Sequence, residues 1–148
     1  MARRWGIGML SPTLPAGVRY HFDHRLGAEV GLRFGSRSVE GSSRNDFAFE
    51  GALLYVMAPG DRLNFYLRPA AGFLSEERGD GTYSTVVLSA GFLFEVFLTR
   101  DFSVSASQGL AVEFVGPPSG RDSASGNRTS FGLRGGTWPQ LGFTYYLP

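Results

Sequence analysis

Apolar side chains fall on every second residue in eight successive segments of this chain, a period that a β-strand with one apolar face satisfies and a helix does not. The stretch from Leu26 to Arg37 shows it best. Leu26, Ala28, Val30, Leu32 and Phe34 share one face, and Gly27, Glu29, Gly31, Arg33 and Gly35 share the other. Helical spacing is not sustained anywhere. No run reaches the roughly 18–20 apolar residues of a membrane helix, a test that is blind to membrane strands.

The predicted strands are Arg4–Leu10, Ala16–Phe22, Leu26–Arg37, Asp46–Met57, Leu63–Leu74, Tyr83–Leu98, Phe102–Val115 and Thr129–Leu147. Pro69 falls inside the fifth, where it predicts a bulge or an unpaired N–H side. The connections alternate in kind. Asp23–Arg25, Ala58–Arg62 and Thr99–Asp101 are short turns, whereas Ser38–Asn45, Ser75–Thr82 and Gly116–Arg128 read as longer polar loops. Ser11–Pro15 breaks the rule, being no longer than the turns. Short turns at one end and longer loops at the other are the habit of membrane barrels. The 148 residues suit one domain, so the expectation is an all-β chain, 1–148, forming a single eight-stranded antiparallel up-and-down transmembrane β-barrel.

Alternation alone does not say which face is inside. A lipocalin-like soluble barrel turns its apolar face inward. Three features oppose that. Summed over the strands, the apolar face holds roughly forty residues, too much volume for an eight-stranded lumen. The opposite face is dominated by Gly, Ala and Ser, which suits a narrow lumen, whereas each Gly weakens a water-facing strand. Within the strands that face also carries Arg19, Arg33, Arg68 and Arg134 against Glu29, Glu50, Glu95 and Glu113, four charges of each sign. Buried ions need partners, and Arg meets carboxylates with two hydrogen bonds. These eight residues are the expected lumen charge network, closing the barrel.

Composition excludes several functions. There is no Cys, so disulfides, thiol nucleophiles and Cys-ligated metals are out. A net charge of +1 gives no case for nucleic acid. All fourteen basic residues are Arg and none is Lys, in keeping with a surface that largely avoids water. His21 and His24 are the sole histidines and lack the convergent ligands of a metal site, so no metal, cofactor or catalytic residue is expected. Met1-Ala2-Arg3-Arg4 starts like a signal peptide but leads into no apolar core, so the expectation is a mature chain, its signal removed, with an added Met1.

On this pattern the chain resembles the small OmpA/OmpX-type outer-membrane barrels. Gln140, Gly142, Tyr145 and Leu147 are similar to the C-terminal strand signal of that family, although Phe is usual at the last position and this chain has Leu147 followed by Pro148. The resemblance implies recognition by the barrel-insertion machinery and residence in a bacterial outer membrane. Trp5, Tyr20, Tyr55 and Tyr145, with Phe22, Phe102 and Tyr146, fall near the short-turn end, where interfacial rings are expected. Expected partners are outer-membrane lipids and, through the breaks at Gly51, Ala71 and Gln108 in the apolar face, other membrane proteins. The expected role is non-enzymatic, structural or through the loops, or as a subunit of a membrane assembly. Two alternatives stand beside it: an outer-membrane lipid-modifying enzyme, and a soluble ligand-binding barrel.

Overall fold

The computed structural model describes residues 4–39, 42–78, 81–116, 128–133 and 140–147. Nine strands form among them: β1 (Arg4–Met9), β2 (Ala16–His21), β3 (Leu26–Val39), β4 (Ser42–Ala58), β5 (Leu63–Arg78), β6 (Gly81–Phe97), β7 (Phe102–Val115), β8 (Arg128–Leu133) and β9 (Gln140–Tyr146). All neighbours are antiparallel. The ring runs from β1 through β7 in chain order, and β9 lies between β7 and β1 and closes it. The fold is a closed antiparallel barrel of eight positions.

Register fixes its geometry. Following directly opposed residues from Val112 through Leu88, Ala71, Gly51, Val30, Val18, Ile7 and Tyr145 returns to β7 at Phe102, ten residues from the start. Strand number and stagger together set the inclination, here about 40° to the axis. The turns at 22–25, 59–62 and 98–101 lie at one end together with the first and last strand ends.

Two expectations change. The eighth strand, expected unbroken over Thr129–Leu147, is two segments. β8 pairs with the upper part of β7 and β9 with the lower part. Between Leu110↔Leu133 and Ser107↔Gln140, β7 advances three residues and its partner seven, so one continuous ladder is impossible. The two expected loops at 38–45 and 75–82 are largely strand, because β3 pairs with β4 out to Val39↔Ser42 and β5 with β6 out to Arg78↔Gly81. Backbone pairing continues past the point where the apolar pattern stops. Gly81 has φ 144°, a conformation that favours glycine. At Pro69 the second of the two expected outcomes holds: β4 faces Ala70 with Ala52 and Leu67 with Tyr55, so the register resumes unshifted, and Pro69 and Arg68 between them have no ladder partner on β4. The irregularity in that ladder is at Val56/Ala58.

Burial alternates as the sequence pattern requires. Along β9, Gly142, Thr144 and Tyr146 are buried and Leu141, Phe143 and Tyr145 are exposed. The inward face at the short-turn end is packed by Leu54, Val56, Tyr66 and Leu93. The connection between β1 and β2 also turns inward: Leu10, Ser11 and Leu14 are buried. Leu10 lies so close to Gly17 that a Cβ there would sit 2.3 Å from its Cγ, and both Leu10 and Leu14 cover Gly31. This is the use of those inward glycines: they leave room for the folded-in connection.

Candidate functional site

The inward faces of β2 to β6 bring charges to one level of the lumen because each strand contributes every second residue to it. Arg19 on β2 is fully buried and donates from Nε and Nη2 to Glu29 Oε2 of β3, at 2.9 and 2.7 Å. Its Nη1 reaches across the barrel to Glu95 Oε1 of β6 at 2.6 Å. Arg68 on β5 donates from Nε to Glu29 Oε1 at 2.5 Å and from Nη2 to Glu50 Oε1 of β4 at 2.6 Å. Two guanidiniums thus face three carboxylates. Glu95 gains further donors: the Ser103 hydroxyl and the Tyr146 phenol to Oε1, and the Tyr66 phenol to Oε2, each at 2.7 Å. His21 Nε2 lies 3.2 Å from the Tyr146 oxygen, which already donates to Glu95, so that nitrogen carries the proton and donates. Asn64 Nδ2 donates to the Tyr66 oxygen at 3.1 Å.

Five of the eight expected network residues, Arg19, Glu29, Glu50, Arg68 and Glu95, meet in this cluster. Arg33 does not join it. It stands nearer the hairpin end and pairs with Asp46 at 2.9 Å. Glu113 is exposed and accepts from Ser130 at 3.3 Å. Arg134 lies outside the described residues. The uncharged members Tyr66, Tyr146, Ser103 and Asn64 were missed as network residues. Counting charges passed over them, although parity with Glu95, Arg68 and Gly142 already put them on the inward face. Tyr146 in particular is not an interfacial ring but a buried donor.

Of the terminal-strand residues, Gly142 is buried, Gln140 is half-buried, and Tyr145 and Leu147 point outward. Trp5, Tyr55 and Tyr145 are exposed at the short-turn end, and the Tyr20 ring lies tilted against Trp5 with centroids 4.4 Å apart. At the turn below them the Asp23 carboxylate accepts the backbone N–H groups of Arg25 and Leu26, which hold its pKa below the ordinary value. Arg4 pairs with Asp101 across the same rim. Among the described residues there is no group of three or more potential metal ligands.

No family model matches the chain, and no curated protein matches it. Among solved structures it is similar to Ail, the attachment invasion locus protein of Yersinia pestis. The identity is 10%, over 98% of this chain and 95% of that one, with a TM-score of 0.42. The eight-position closed barrel is the architecture that the OmpA/OmpX resemblance implies.

Proposed function

We propose that this chain is an integral β-barrel of a bacterial outer membrane, non-enzymatic, with its lumen closed by the Arg/Glu cluster and the apolar packing beneath it. Its role is structural or interactive, through the polar hairpins or as a subunit of a larger membrane assembly. One observation carries the reading: the chain is partitioned inside out. Arg19, Glu29 and Glu95 are buried, whereas Phe49, Leu53, Phe92, Phe94, Leu110 and Phe143 are exposed. Water does not tolerate so large a continuous apolar surface. On β7 the outward apolar residues run from Phe102 to Phe114, about 40 Å along the strand at about 3.3 Å per residue and about 30 Å along the axis at this tilt. That matches the apolar band of an outer-membrane barrel with its interfaces, and closure leaves the pairing backbone little to satisfy in lipid.

The test is extraction. The protein should stay with membranes through alkaline washing, require detergent, and migrate differently on gels with and without heating. A monomer that remains in buffer without detergent defeats the membrane reading. Large, stable conductance in planar bilayers defeats the closed lumen.

A further inference from the structure

The short-turn end carries a second group of charges, separate from the cluster in the lumen. Two turns lie side by side there because the β5–β6 ladder ends between them: the Phe97 N–H donates to the Arg62 carbonyl at 2.8 Å. Each turn is held by its own bonds. Asn64 Oδ1 accepts the Gly60 N–H at 3.3 Å, and the Leu98 and Thr99 N–H groups both donate to the Phe102 carbonyl, at 3.0 and 3.2 Å. Residues of both turns line a cleft of about 360 Å³. Small-molecule sites occupy about 300–1,000 Å³.

The lining has a polar and an apolar part. Asp61, Arg62, Thr99 and Arg100 are exposed side chains of the two turns. Thr99 Oγ1 accepts the N–H groups of Asp101 and Phe102 at 3.3 and 3.1 Å, which leaves its own proton to donate. Arg4 forms a fixed wall: it pairs with Asp101, donates to the Arg100 carbonyl at 3.1 Å and lies 5.6 Å above the centre of the Tyr146 ring. Arg62 and Arg100 therefore face Asp61 across a cleft whose third guanidinium is already neutralised. Phe97, 8% exposed, closes the inner side, and Leu98, 62% exposed, forms a lip at the edge of the apolar belt.

Resting on the membrane reading above, we propose that this cleft binds a phospholipid head group that carries both a phosphate and a primary ammonium. Arg62, Arg100 and the Thr99 hydroxyl donate to the phosphate oxygens, a use that suits the guanidinium fork. The Asp61 carboxylate accepts from the ammonium. A bare phosphate would set Asp61 against a second anion, whereas an ammonium on the same ligand turns that repulsion into attraction. The acyl end leaves over Leu98 and runs along Val96 and Phe94, which are exposed on the same outward face. The lipid source follows from that lip and from the exposed rings of Trp5 and Tyr55, which place this end of the barrel at the lipid–water boundary where phosphates lie.

Backbone amide NMR in micelles of an alkyl maltoside, which contributes no phosphate, tests this. Dihexanoyl-phosphatidylethanolamine should shift the amides of Asp61, Arg62, Thr99 and Arg100 saturably. Dihexanoyl-phosphatidylcholine, whose quaternary ammonium has no proton to donate, should bind about tenfold more weakly. Arg62→Gln with Arg100→Gln should abolish the shifts. Asp61→Ala should erase the preference between the two lipids and keep the binding. All three side chains are exposed, so the variants should fold, and heat-modifiable migration checks that they do. Inorganic phosphate and phosphoethanolamine are the soluble arms. If either binds as tightly as the lipid, the ligand comes from solution and the lipid assignment falls. If the protein needs detergent yet no phosphate compound shifts these amides, or the two lipids bind alike, the proposal falls and the membrane reading stands. A protein that stays in buffer without detergent overturns the membrane reading itself.

Discussion

Arg19→Met should destabilise the barrel. Arg19 makes three charge-assisted hydrogen bonds, two to Glu29 and one to Glu95, and is fully buried. Removing one member of a buried ion pair costs about 3–5 kcal/mol, mostly because the surviving charge is left buried without its partner. Here the survivors are partly covered: Glu29 keeps Arg68, and Glu95 keeps Ser103, Tyr66 and Tyr146. The loss should therefore fall at the low end, about 3 kcal/mol, roughly a hundredfold in the folded-to-unfolded ratio. Glu95→Gln in the same chain should recover part of it, since the orphaned charge is then gone. Urea unfolding in lipid vesicles, followed by Trp emission, measures both. An Arg19→Met variant within about 1 kcal/mol of the parent, or no recovery in the double variant, would refute the reasoning that burial makes these pairs interdependent.

Tyr146→Phe keeps the ring and removes one donor to Glu95 while leaving His21 without its acceptor. The same unfolding assay should show a loss of about 2 kcal/mol, the range for hydrogen bonds to charged groups. Glu113→Gln, at an exposed carboxylate, should stay within about 0.5 kcal/mol. Gly142→Ala would place a Cβ 2.5 Å from the Leu10 carbonyl oxygen and 2.6 Å from that of Met9, so the backbone must shift; a loss of about 1–3 kcal/mol is expected. Gly51→Ala meets nothing within 4 Å and should be neutral or better. Asp23 has a lowered folded pKa, so its contribution is present above the ordinary carboxylate range and is lost as pH falls through the folded value. Its NMR titration should have a midpoint below that of a free Asp, and Asp23→Asn should weaken the acid dependence.

The strands from Leu26 to Val115 were legible because one-sided burial writes itself into alternate residues, and their inner ends match the pattern closely. The outer ends of β3 to β6 were not. There both faces of the ladder are polar, and pairing leaves no trace in hydropathy. The interruption after Leu133 was hidden for a related reason. Phe131, Leu133, Leu141 and Phe143 share parity along the sequence, yet four surplus residues lie between β8 and β9 relative to β7. Parity survives an even insertion, so alternation continues across it. In the site, charge marked Arg19, Glu29, Glu50, Arg68 and Glu95 but not the neutral donors. It also overreached to Arg33 and Glu113, because position along the strand, which decides how wet a lumen residue is, is not encoded in its face.

The cluster has a consequence for the shape of the barrel. Ladder hydrogen bonds hold each strand to its two neighbours and say nothing about the cross-section, which can flatten without breaking one of them. Contacts across the lumen resist that. Arg19 joins β2 to β6, Arg68 joins β5 to β3, and Tyr146 joins β9 to β6, so three struts meet on Glu29 and Glu95 from different directions. Arg suits this use because its planar fork engages two carboxylates at once, as Arg19 and Arg68 both do. A Lys in the place of Arg19 keeps the net charge and still fails, since a single ammonium on a flexible stem cannot repeat both contacts. Arg19→Lys should therefore resemble Arg19→Met in the loss of rigidity. In lipid, methyl and aromatic NMR signals of Leu54, Tyr66 and Leu93 should broaden, while the amides of the β2–β3 ladder stay protected from exchange. Equal loss of protection in the ladder would mean that the struts hold the strands together and not merely the section in shape.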